Sequence, residues 1–339
     1  MSTAVQVAQR AEALRLVGRL AEAEELARAG LEDSPQDPTL LCTLSGVLYA
    51  AGRYGDGLEA ADAAVAAMPD GEPGHRLRSM HLSQLDRHDE AVQAGYTCVT
   101  LQPDEPAAAT CYARALQGAG RLADALQVAQ RVVQLAPNAA ASHLLLADVA
   151  SDLPDPRSRA VARDAYQQTL RLAPDNAVAR HDLAVLDSRS HHPARALAGL
   201  VDAGRLDPAL PGVSNAVAAV LWQLSWRLRM FLVVATLVMF GVGTTASGAR
   251  IAAAATLAVA AALTWWTGRD LPRGTVAVAV AALRTDRPLA ATWLALALCA
   301  LVQIAVLVTG FGLLAGLTWL VLGALGVLAL VVQVRRRRH

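Results

Sequence analysis

The chain has 339 residues, of which 54% are hydrophobic, 17% charged and only 4% aromatic, with a formal net charge of +1. That total hides two unlike halves: residues 1–211 carry 19 arginines and 27 acids (net −8), and residues 212–339 carry 11 arginines and 2 acids (net +9). The four cysteines, Cys42, Cys98, Cys111 and Cys299, show no CxxC spacing, which excludes a thiolate metal motif and reads as free thiols in a reducing compartment.

The N-terminus, MSTAVQVAQRAEALRL, lacks a basic start followed by an apolar core, so no cleaved signal peptide is expected. A repeating unit begins there at once. Its clearest copy is Glu105–Asn138, in which two apolar-periodic runs, Ala109–Leu116 and Leu122–Leu135, are split by Gly118-Ala119-Gly120 and closed by Pro137. Apolar residues spaced by three and four give each run one dry face, so the unit is an amphipathic helical hairpin. A lone hairpin cannot bury its dry face, and the chain needs copies.

Closing prolines mark six of them: Pro35, Pro69, Pro103, Pro137, Pro174 and Pro208, at steps of 34, 34, 34, 37 and 34 residues. Twelve residues before each stands a small residue, Ala23, Gly57, Ala91, Ala125, Ala162 or Ala196. The first helices carry Ala11, Ser45, Ser79, Ala113, Ala147 and Ala184 in matching phase. Two helices approach closely where neither bears a large side chain, so these pairs predict the hairpin crossings. Gly18, Gly52, Gly120 and Asp86 fall in the turns, where a left-handed residue ends a helix. The three extra residues of the fifth copy are expected in its turn, around Leu153-Pro154-Asp155-Pro156.

The pattern resembles the tetratricopeptide repeat family over roughly the first 210 residues. The tryptophan that the family places early in each unit is missing, and its second-helix aromatic survives as Tyr166. The resemblance implies an α-solenoid whose concave face, built mainly from the first helices, binds a peptide or helix of a protein partner. Mapped copy by copy, that face includes Cys42, Tyr49, Arg76, Met80, Gln84, Thr110, Arg114, Gln117, Asp148 and His181. Tyr49 and Met80 supply apolar contacts; Arg76 and Arg114, on adjacent first helices, suit a carboxylate. The first helices lack the interior asparagines of the family's carboxylate clamp, so no chaperone tail is expected.

Residues 212–229 read as an amphipathic connector that caps the last repeat, with Trp222 and Trp226 on one side at a height that fits a membrane interface. Four uncharged runs follow, at 230–246, 251–267, 289–309 and 311–334. A spanning helix needs about 20 apolar residues, with about 17 as the lower edge. The expected fold class is therefore all-α: a solenoid of six hairpins over 1–211, then a four-helix transmembrane bundle over 230–339. Arginines before the first run (Arg227, Arg229), after the second (Arg269, Arg273, Arg284, Arg287) and in the tail (Arg335, Arg336, Arg337, Arg338) place the repeats, the middle loop and the C-terminus in the cytoplasm by the positive-inside rule. Trp265, Trp266 and Trp293 fall at the same inner interface. Gly274–Leu283 is apolar but too short to span and is expected to lie on the inner surface. The arginine tail suits anionic lipid better than nucleic acid, and no nucleic acid is expected.

No constellation points to chemistry. His191-His192 are adjacent and point apart, and His75, His81 and His88 do not share a helical face. No HExxH, GxSxG, P-loop or GxGxxG occurs, so no cofactor, metal or catalytic residue is expected. The runs hold no ionisable group, which weighs against a carrier. Gln303 is the strongest polar group near a span centre and is expected to hydrogen-bond between helices, and Gly312, Gly316 and Gly323 line one face of the fourth run. Two functions remain: a membrane-anchored scaffold that recruits a protein through its repeats, or an accessory subunit of a larger secretion, envelope-assembly or transport complex whose membrane helices form the interface.

Overall fold

Each expected hairpin forms where the prolines and small residues place it. The first is α1 (Thr3–Leu16) with α2 (Leu20–Asp33), the second α3 (Pro38–Ala50) with α4 (Tyr54–Ala67), and the third α5 (Glu72–Gln84) with α6 (His88–Leu101). The fourth is α7 (Pro106–Gly118) with α8 (Leu122–Leu135), the fifth α9 (Ala140–Asp152) with α10 (Pro156–Leu172), and the sixth α11 (Ala177–Arg189) with α12 (Pro193–Leu206). Every second helix stops two residues short of its closing proline, because the residue before proline is pushed out of helical geometry. The computed structural model describes residues 3–190, 192–242, 246–268 and 275–310, with 317, 318, 320, 321 and 323 beyond them, and all the elements described are helices. The chain divides into two units, Met1–Pro174 and Asp175–His339.

In the first unit the small residues sit at the crossings. Ala11, Ala23, Ser45, Ala91, Ala113, Ala125, Ala147 and Ala162 are all completely buried, and Ser79 nearly so. The two serines add a hydrogen bond across the crossing: Ser45 Oγ donates to the Gly57 carbonyl at 2.9 Å and Ser79 Oγ to the Ala91 carbonyl at 2.8 Å. The turns adopt the expected left-handed geometry, with φ of 78° at Gly18, 73° at Gly52, 72° at Gly120 and 57° at Asp86. In each, the next backbone N–H reaches back five residues, as Arg53 does to Leu48 and Arg87 to Leu82, both at 2.9 Å.

The fifth hairpin differs from expectation. Its turn is Leu153–Asp155, as short as the others, and the three extra residues lengthen α10 to 17 residues where α8 has 14. Asp155 caps the backbone N–H groups of Arg157 and Ser158, both at 2.9 Å, and Pro156 occupies the first turn, so the helix starts earlier.

The second unit opens with the sixth hairpin. α13 (Val213–Val242) is a single helix of 30 residues and runs through the boundary expected at 229/230. Arg227 and Arg229 do not stop it, because charge alone does not break a helix and no glycine or proline intervenes before Gly241. Val217, Val220 and Leu221 pack on Ala184, Ala196, Leu197 and Leu200, covering the dry face of the sixth hairpin. α14 (Ala246–Gly268), α15 (Thr275–Thr285) and α16 (Arg287–Thr309) follow. Residues 247–250, which separate the first two uncharged runs in sequence, are helical. α15 covers all but the first residue of the short apolar segment expected on the membrane surface, and it buries Ala282 in the cluster with α12, α13 and α16.

Among the described residues two helices are long and apolar enough to cross a membrane, Val213–Leu237 and Arg287–Thr309. The expected second run lies within α14. The fourth run lies almost wholly outside the described residues, as do the Arg335–Arg338 tail, Arg269, Arg273, Gly312, Gly316 and His191. α16 buries Leu289, Thr292, Leu296, Cys299, Gln303 and Val306 on one face and exposes Leu294, Leu298, Leu301, Ile304 and Val308 on the other. Gln303 makes no hydrogen bond between helices among the described residues: it is fully buried and neither amide atom has a partner there.

Candidate functional site

Three successive first helices, α3, α5 and α7, expose matching faces and enclose a cavity of about 500 Å³. Its wall brings together Tyr49 from α3, Arg76, Met80 and Gln84 from α5, and Thr110 and Arg114 from α7. Those are six of the ten positions expected on the concave face. The period explains the convergence. Residues 34 or 35 apart occupy equivalent places on neighbouring first helices, as Gln84 and Tyr49 do, and the Gln84 amide donates to the Tyr49 hydroxyl at 3.4 Å.

The other four positions stand apart from the cavity. Cys42 is half-buried on α3, and burial pushes its thiol up to about 11. Gln117 and Asp148 extend the polar row toward α9: Arg114 donates to Gln117 Oε1 at 3.1 Å and to Asp148 Oδ2 at 2.8 Å, Tyr166 OH donates to Asp148 Oδ1 at 3.1 Å, and Gln117 donates to Asp152 at 2.7 Å. His181 belongs to the second unit, on α11, where its Nδ1 pairs with Asp182 at 2.9 Å.

The two arginines are therefore engaged. Arg114 holds Asp148, and Arg76 holds the buried Glu72 at 2.9 Å. A partner's carboxylate would have to displace a carboxylate already present. What the cavity offers at no such cost is the Tyr49 ring, the Met80 thioether and the amide and hydroxyl groups of Gln84 and Thr110.

Sequence reasoning missed the floor. Ser79 and Cys111 lie between the wall residues. The Cys111 Sγ contacts the Arg76 carbonyl at 3.6 Å, and the Cys98 Sγ contacts the Glu72 carbonyl at 3.9 Å, one helical turn away. The Cys98 thiol is pushed far up by its contact with Cys111 and by burial, so it stays protonated. Below Tyr49 lies His81, fully buried, with ring centroids 5.4 Å apart. The signal for His81 was its place one residue beyond the groove position Met80, on the side that faces the preceding hairpin. No three His, Cys, Asp or Glu side chains among the described residues converge on a metal-sized space.

A second regularity was also legible and unread. Arg19, Arg53, Arg87 and Arg121 recur every 34 residues, each with an acid three residues on. Arg87 holds Glu90 at 2.7 Å, Arg121 holds Asp124 at 2.6 Å, and Arg19–Glu22 and Arg53–Asp56 pair likewise. These forks are exposed, so solvent screening leaves them little weight in stability. Their acids also sit in the first turn of the second helix, where the helix dipole favours negative charge.

No protein-family model and no curated protein matches the chain. Solved structures do. Over 63% of its length the chain aligns with a chain from the crystal structure of the APC/C hetero-tetramer Cut9–Hcn1, at 16% identity and a TM-score of 0.56, and it spans 42% of that chain's length. Over 62% of its length it aligns with pilF of Pseudomonas aeruginosa, at 18% identity and a TM-score of 0.51, spanning 95% of that chain. A tetratricopeptide repeat protein from Parabacteroides merdae aligns at 14% identity and a TM-score of 0.46, over 65% of this chain and 91% of that one. The similarity is one of fold: the hairpins form a solenoid of the tetratricopeptide type.

Proposed function

We propose that the protein is a non-enzymatic, membrane-anchored scaffold whose solenoid recruits a protein partner through the cavity at Tyr49, Met80, Gln84 and Thr110. The observation that carries this reading is the cavity itself, built from three successive first helices and presenting apolar and neutral polar groups together. Such a surface suits a short apolar segment with its backbone hydrogen-bonded by side-chain amides and hydroxyls. Arg76, Arg114, Gln117 and Asp148 form its polar rim in this reading.

The anchor in this proposal is a bundle of four spans in the cytoplasmic membrane, with the repeats and the C-terminus on the cytoplasmic side and the arginine tail on anionic lipid. The exposed leucine row of α16 supports it, since a helix apolar on both faces is stable only where the outer face also avoids water. A second reading, the accessory subunit of a membrane complex, is supported by the same exposed face of α16, which a helix from another protein could cover in place of lipid.

A photo-crosslinking residue at Met80 of the full-length chain in native membranes tests the scaffold. The reading expects a discrete protein adduct from Met80 and none from the exposed Tyr96 of α6. Adducts equal at both positions, or none at Met80, would remove the cavity from the account.

A further inference from the structure

Arg229 lies on α13 one residue before the apolar run that begins at Met230, yet it is only 7% exposed. Its guanidinium carbon stands 5.8 Å from the Trp222 ring centroid and 5.6 Å from that of Trp226, so two indoles cover the charge. Its hydrogen-bond partners among the described residues both belong to Ser225: Nε donates to the carbonyl at 3.4 Å and Nη2 to the hydroxyl at 3.2 Å. Neither is anionic. Asp286, the one acid of residues 212–339 among those described, is used elsewhere. Its Oδ2 accepts from Trp222 Nε1 at 3.0 Å and its Oδ1 from the Leu289 backbone N–H at 3.0 Å.

A guanidinium stays charged and is costly to remove from water; aromatic faces offset only part of that cost. Among the described residues the Arg229 guanidinium has neutral hydrogen-bond partners and no counter-charge, so the partner it would take is an acceptor that carries negative charge. The position adds a constraint. Met230, Val234 and Leu237 expose apolar side chains just beyond Arg229, while Trp226 stays exposed beside it. That boundary is where the phosphates of a bilayer lie.

We propose that Arg229 holds the phosphate of an anionic phospholipid, flanked by the Trp222 and Trp226 rings. The inference rests on the membrane reading above, and the two fail separately. Full-length protein in a neutral detergent is titrated with phosphatidylglycerol, phosphatidylcholine and inorganic phosphate, read by tryptophan fluorescence and by mass spectrometry of retained lipid. Wild type should prefer phosphatidylglycerol. Arg229→Gln should weaken it about tenfold or more, while Arg227→Gln on the exposed side should change it less than about twofold. Arg229→Lys keeps the charge and should restore part of the loss, which a misfolded protein would not do.

Equal retention of lipid by Arg229→Gln and wild type overturns the proposal, as does an equal loss in Arg227→Gln, which would mark diffuse surface attraction. Saturation by inorganic phosphate at the same affinity overturns the lipid assignment. Alkaline extraction of native membranes separates the two ideas. Protein that stays in the membrane with an Arg229→Gln variant that binds normally overturns the site alone; protein released by alkali overturns both.

Discussion

The Gly57 backbone and the His81 ring occupy adjoining space: a Cβ on Gly57 would lie 2.1 Å from His81 Cε1. Gly57 is the crossing residue of the second hairpin and His81 belongs to α5 of the third. The ring is pinned, since Nε2 meets Ser45 Oγ at 2.9 Å and Tyr49 and Tyr54 stand against it at 5.4 and 6.3 Å. This explains why the second copy has glycine where the other five have alanine.

Gly57→Ala should therefore destabilise the protein by about 1–3 kcal/mol, the usual cost of overpacking a tight core. Adding His81→Ala should recover part of that loss, so the pair is non-additive in a double-mutant cycle followed by denaturant unfolding. Additive losses would mean that the ring moves aside freely.

His81 also makes stability depend on pH. The Ser45 hydroxyl donates to the Gly57 carbonyl, so it accepts from His81 Nε2–H, and the buried Nδ1 has no partner. Protonation would add an unmatched donor there. Burial lowers the pKa from its ordinary 6.5, with a hydrogen bond to the Ser45 carbonyl opposing in part. A lowered histidine pKa means that the folded state favours the neutral ring. The associated stability is present above 6.5 and is lost as pH falls through the folded value. Unfolding midpoints measured between pH 7.5 and 5 should fall, and His81→Gln should flatten the profile.

The turns offer a test that no contact complicates. A Cβ at Gly52 meets nothing within 4 Å, so Gly52→Ala carries only the cost of a left-handed alanine, about 1 kcal/mol. Asp86 already bears that strain at φ 57°, and Asp86→Gly should stabilise by up to about 1 kcal/mol. Opposite signs at two equivalent turns, read by thermal unfolding, would confirm the shared geometry.

The rim arginines should separate in the same assay. Arg114 and its partner Asp148 are partly exposed, and Asp148 keeps Tyr166, so Arg114→Ala should cost below about 1 kcal/mol. Arg76→Ala strands a buried Glu72 carboxylate and should cost about 1–3 kcal/mol. Equal effects would show that Glu72 finds water.

What the sequence made legible was whatever the period repeats: closing prolines, crossing pairs, left-handed turns and six residues in the wall of the cavity. Those follow from backbone sterics and from side chains 34 residues apart, so they are written locally. The occupation of Arg76 and Arg114 was not legible, because Glu72, one turn before Arg76, and Asp148, 34 residues after Arg114, had rival partners that only packing ranks. The run of α13 through Arg229 was misjudged because a change of composition was taken for an end of helix. The extension of α10 was misjudged because Pro154 and Pro156 suggested a turn, although Asp155-Pro156 is a helix start.

Membrane anchoring is the claim on which the scaffold reading turns, and the topology of the full-length chain in its native membrane tests it most directly. Reporters placed before Met1 and after His339 should both report the cytoplasm, and one inserted at Ser247, the second residue of α14, should report the exterior. Termini on opposite sides would contradict the four-span anchor, and a Ser247 reporter that stays cytoplasmic would show that α13 and α14 do not cross.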